Sequence, residues 1–83
     1  MNLDRSDSAL REKIVEIVAR VLGEKYDPSQ RRLEPTSLQM LELIVALEDE
    51  FGIHISEDEP LARITSSIDS IVKYLRVAVS ESA

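Results

Sequence analysis

The sequence contains no cysteine and no tryptophan. Without cysteine there is no disulfide framework, no thiolate metal site and no thiol nucleophile, so any sulfur chemistry performed with this chain has to be brought to it. Glycine occurs only twice and proline three times in 83 residues, with two tyrosines and one phenylalanine as the only aromatics. So few breakers leave long segments free to be helical. The balance of 43% apolar and 31% charged residues is that of a globular domain and not of a disordered tail. Long apolar runs are also missing, which excludes a membrane span, and the polar start MNLDRSDS has no signal-peptide character. The expectation is one small cytoplasmic domain over 1–83, with its core over about 8–79 and fraying ends.

Positive charge is missing from one region in particular. Between Arg32 and Arg63 there is no Lys or Arg, but eight acids: Glu34, Glu42, Glu48, Asp49, Glu50, Glu57, Asp58 and Glu59. The other eight of the sixteen acids stand against all ten basic residues, so this middle segment carries the whole excess of the net charge of −6. Nucleic acid is a poor partner for such a chain, because phosphate neutralisation needs clustered Lys and Arg. Basic protein surfaces are the complementary class.

The apolar spacing predicts an all-α fold, a small antiparallel bundle of three longer helices and one short one. Leu10, Ile14, Ile17, Val18, Val21 and Leu22 recur at helical intervals from Ser8, and Gly23 follows as a stop. A long loop, Glu24 to Pro35, then offers only Tyr26 and Leu33 as apolar anchors. Thr36-Ser37-Leu38-Gln39 has the capping-box pattern and opens a helix expected to run to about Phe51 and stop at Gly52. After an extended link, Ile53-His54-Ile55, a second box at Ser56-Glu57-Asp58-Glu59 predicts a short helical segment through Pro60, with Leu61 and Ile64 facing the core. Thr65-Ser66-Ser67 supplies a cap for a last helix whose stripe is Ile68, Ile71, Val72, Leu75 and Val79.

The second helix has more apolar residues than one buried face needs. With Ser37 at zero and about 100° per residue, Met40, Leu43, Ile44, Leu47 and Phe51 gather at roughly 240° to 340°. This is the core stripe. Leu38, Leu41 and Val45 fall at about 40° to 100°, on the side of Ser37 and beside Glu42, Glu48 and Asp49. Two uses of this second strip stand open: it packs under the long loop, or it is left for a partner, as acid-rimmed apolar patches commonly are. Ser37 has two readings as well. It is an ordinary first-turn serine beside the cap, or a hydroxyl whose phosphate ester would be stabilised by the free N–H groups of a helix start.

The run SLQMLELIVALEDEFGIHISEDE resembles the second helix and following link of the acyl carrier protein family, whose pattern is Asp-Ser-Leu, an apolar and acidic helix ending Ala-Leu-Glu-x-x-Phe, and an Ile before an acidic short helix. LREKIVEIVARVLG and ITSSIDSIVKYL resemble its first and last helices, so the likeness covers roughly residues 9 to 77. The resemblance implies that Ser37 bears 4′-phosphopantetheine, derived from coenzyme A, and that acyl groups ride as thioesters on that arm. It also implies a phosphopantetheinyl transferase as one partner and basic docking surfaces of acyl-processing synthases and transferases as others. Leu38, Leu41, Glu42, Val45, Glu48 and Asp49 correspond to the docking face. The pattern departs at Thr36, which stands in place of Asp, and at Pro35 and Gln39.

Catalytic readings are weak. His54 is the only histidine, and neither a Gly-x-Ser-x-Gly elbow nor a strand accompanies Ser37. The acids at 48–50 and 57–59 lack the alternating oxygen ligands and central glycine of a calcium loop, so no metal is expected. The resulting expectation is a monomeric carrier without enzyme activity, serving fatty acid, polyketide or related specialised biosynthesis. The alternative is an unmodified helical interaction module of the same ancestry.

Overall fold

The computed structural model describes residues 2–56 and 58–82, and the side chains of 8–56 and 58–79. Helix α1 spans Asn2–Leu22 and is followed by a 3-10 turn, Gly23–Lys25; α2 is Ser37–Phe51, α3 Leu61–Ile64 and α4 Ile68–Ser82. These three longer helices and one short one form the expected all-α bundle. Helix α1 is its centre, packing on both α2 and α4, while α3 rests on α4. A 21-residue helix is about 31 Å long at 1.5 Å per residue, and the longest dimension of the molecule is 33 Å.

Each long helix buries the centre of the stripe that its periodicity marks; Val79, expected at the end of the α4 stripe, is instead exposed because the bundle ends before the last turn of α4, and Met40 and Phe51 at the two ends of the α2 stripe are half-buried. Ile14, Ile17, Val18 and Leu22 of α1 meet Leu43, Ile44 and Leu47 of α2 and Ile71, Val72 and Leu75 of α4 in one apolar cluster. At the end of α1, Gly23 takes a left-handed conformation (φ 56°), which a side chain would strain. Helix α1 begins at Asn2, well ahead of the Ser8 boundary, because the segment before Ser8 contains neither Gly nor Pro to stop it. Helix α4 likewise continues past Val79 to Ser82.

The long loop is tied to the body at two points, Tyr26 and Leu33, with a local turn between them. Tyr26 packs half-buried against the core. Asp27 accepts from both the N–H and the hydroxyl of Ser29, and these bonds hold its carboxyl below its usual range. Leu33 is buried among the core residues, and its N–H donates to the Ser66 carbonyl at 2.7 Å. The loop is thereby stitched to the α3–α4 connection, which fixes where α2 begins.

Between α2 and α3 the chain is held by α2 itself. Gly52 ends the helix in the left-handed region (φ 63°), with its N–H bonded to the Glu48 carbonyl. Ile55 is buried, and its N–H donates to Glu48 Oε2 at 2.7 Å. The capping box expected at Ser56 does not open a helix: Ser56 accepts from Asp58 and Glu59 N–H in a turn, and α3 starts only at Leu61. Proline disfavours a helical conformation in the residue before it, and Pro60 itself (ψ 79°) is not helical, so the segment shortens. Glu57, part of that expected box, lies outside the described residues. Ile64 is buried and Leu61 half-buried as expected, and Ser67 caps α4 by accepting from Ser70 N–H at 3.0 Å.

Two stability effects follow from the loop anchors. Leu33→Ala removes a buried side chain and should cost about 2–4 kcal/mol in urea unfolding. Glu48→Ala leaves the buried Ile55 N–H without its acceptor and should cost about 1–3 kcal/mol, with faster hydrogen exchange at Ile55. An unchanged Ile55 exchange rate would show that the carboxylate does not hold the link.

Candidate functional site

The start of α2 is built from two uncharged side chains. Thr36 Oγ1 accepts from Gln39 N–H at 3.1 Å, and Gln39 Oε1 accepts from Thr36 N–H at 3.0 Å. This reciprocal box satisfies two of the amides that every helix start leaves over. Met40 N–H is the first to bond within the helix, to the Thr36 carbonyl. Among the described residues, nothing accepts from the N–H groups of Ser37 and Leu38. Ser37 is exposed, and the first turn of α2 contains no acid. A reactive hydroxyl, two open amides and the positive end of a 15-residue helix therefore share one surface.

A phosphodiester on Ser37 Oγ fits this surface. Its negative charge would lie next to unpaired donors, with no carboxylate in the first turn to repel it. Thr36 caps the helix without bringing a charge. The helix start is intact.

Along α2 from Ser37 runs the second apolar strip. Leu38 is 67% exposed, and Leu41 and Val45 are each 56% exposed. The long loop does not cover them, because Leu33 inserts into the core instead. Glu42 and Asp49 are exposed along the outer edge of the strip, with no ion pair among the described residues. Glu48 differs. It lies on the inner edge, half-buried, with Oε2 bonded to Ile55 N–H and 3.3 Å from His54 Nδ1. Five of the six ridge residues thus share an open surface, whereas the carboxylate of Glu48 is turned to the α2–α3 link.

Facing the outer edge is helix α1. Arg20 and Val21 join Leu41, Glu42, Val45, Ala46, Asp49 and Glu50 in lining an open groove between the two helices. Neither α1 residue belongs to the ridge read from the sequence of α2, because only the packing of α1 on α2 brings them there. His54, with its side chain 88% exposed, lies beside Glu48 and away from the Ser37 hydroxyl's helix turn. No three acids or histidines among the described residues form a metal-binding group, and none of the described helices is long and apolar enough to cross a membrane.

The sequence is similar to known proteins. The family model described as "Phosphopantetheine attachment site" matches residues 12–75. The acyl carrier protein of Clostridium acetobutylicum is 33% identical over 78 residues, covering 84% of this chain and 96% of that protein. No solved structure gives a match. The family domain is the site at which 4′-phosphopantetheine is attached, and its carriers are not catalysts. Helical architecture, open helix start and family match lead to one assignment: the chain belongs to the acyl carrier protein family, with 4′-phosphopantetheine as its cofactor.

Proposed function

We propose that Ser37 is the attachment residue and that the chain presents acyl groups to fatty acid, polyketide or related biosynthetic enzymes. The observation that carries this reading is the exposed Ser37 hydroxyl beside the open amides of Ser37 and Leu38. Loading joins Ser37 Oγ to the phosphorus of the pantetheine phosphate as the pyrophosphate bond of coenzyme A breaks; 3′,5′-ADP leaves and the hydroxyl proton is released. The arm supplies the thiol that holds acyl groups as thioesters, a sulfur the chain lacks. Every other part of the task falls to the protein surface.

Thr36 and Gln39 keep the helix start closed on itself, which orients the two open amides toward the ester position. Leu38, Leu41 and Val45 form the apolar part of the docking ridge, and Glu42 and Asp49 attract basic partner residues. Glu48 supports the ridge by holding the link. A carrier has to leave each enzyme after transfer, and charge contacts at an exposed rim give rapid encounter without a slow release. Weak, salt-sensitive binding by a monomer is the expected mode.

Intact-mass spectrometry after incubation with coenzyme A, Mg²⁺ and phosphopantetheinyl transferases tests the site. One added arm on the wild type and none on Ser37→Ala is the expected result. Failure to load with any transferase, including that of the source organism, favours the unmodified interaction module. For docking, Glu42→Lys and Asp49→Lys should raise the KM of a cognate acyl-processing enzyme severalfold, with kcat unchanged, and lower its sensitivity to salt. A KM indifferent to both changes and to ionic strength would place docking elsewhere.

A further inference from the structure

The groove between α1 and α2 has walls of opposite charge. On the α2 side, Glu42 and Asp49 have no ion pair among the described residues, whereas Glu50 is drawn to Lys13 of α1 at 3.9 Å. On the α1 side the groove is lined by Arg20, exposed and without an ion pair among the described residues, and by Val21. Val21 and Ala46, both half-buried, line the groove between the walls, and the half-exposed side chains of Leu41 and Val45 border it on the far side of the two acids. A cation opposite two carboxylates, none of them in an ion pair among the described residues, makes a surface that distinguishes orientation as well as sign.

We infer that Arg20 is a specificity-determining residue: the groove receives a protein surface whose apolar ridge has basic side chains on one flank and an acidic side chain on the other. The basic flank pairs with Glu42 and Asp49, the acid pairs with Arg20, the apolar ridge covers Val21 and Ala46 between them, and apolar side chains beyond the basic flank meet Leu41 and Val45. This deepens the docking reading above and rests on it. Bulk electrostatics makes the opposite prediction, since a chain of net charge −6 should prefer the partner with the fewest acids. Preference for a partner that gives up part of its positive charge is therefore the mark of Arg20. Reading one acid among basic residues also rejects surfaces that are merely basic.

The two expectations separate with designed probes. Helical lysine–leucine peptides carrying a single glutamate, placed at successive polar positions, are titrated into the ¹⁵N-labelled full chain beside twins with glutamine there. One glutamate register should bind about two- to fivefold tighter than its twin, the range of an exposed ion pair, with amide shifts centred on Val21, Leu41 and Val45. Arg20→Gln should abolish that preference, tightening the glutamine twin if anything because a positive charge facing a lysine-rich peptide is removed, while Lys25→Gln should leave the preference intact. Glutamine twins that bind as tightly or more tightly in every register, or shifts centred outside the groove, overturn the inference. Attachment at Ser37 is judged separately by mass, so a chain that accepts the arm yet shows no glutamate preference sinks only this proposal.

Discussion

The reciprocal bond between Thr36 and Gln39 is the interaction on which the site depends. It closes the first turn of α2 with two neutral side chains and consumes two amides, leaving those of Ser37 and Leu38 open beside the serine hydroxyl. A carboxylate cap would hold the helix equally well; here the cap is neutral. Leu33 supports the same point from outside: its burial and its bond to Ser66 bring the loop's end to a fixed place on the bundle.

Helix α2 works with two faces. Leu43, Ile44 and Leu47 are buried against the rest of the bundle, and Leu38, Leu41 and Val45 remain in solvent. Leaving three large apolar side chains exposed on one 15-residue helix gains nothing for folding, and such patches on soluble proteins commonly mark contact surfaces. The acids beside them divide by position on the helix. Glu42 and Asp49, on the outer edge, stay open, and Glu48, one helical step inward, is recruited to hold Ile55. Carboxylates therefore stay open at one edge and hold structure at the other.

Much of this was legible in the sequence because it is local. The capping box, the left-handed Gly52 and the two stripes of α2 depend on spacings within one helix, and the structure has each of them. The exposed strip was undecided between loop and partner, since residues 24–35 contain no information about which surface Leu33 will find. The early start of α1 was missed because an apolar stripe marks the buried part of a helix and not its full length. At Ser56, a capping pattern was overruled by Pro60 four residues on. Glu48 and Arg20 were unreadable for a common reason: their partners, Ile55 in the link and the outer edge of α2, are set by tertiary packing.

Trypsin, which cuts after Lys and Arg, should release residues 33–63 as a single peptide containing both Ser37 and Ser56. Tandem mass spectrometry of that peptide, prepared from protein isolated from its native cells, reads the site of attachment directly. Fragment ions carrying the phosphopantetheine mass on Ser37, with Ser56 and Thr36 bare, are the predicted result. An unmodified peptide throughout, or the mass on any residue other than Ser37, would contradict the account.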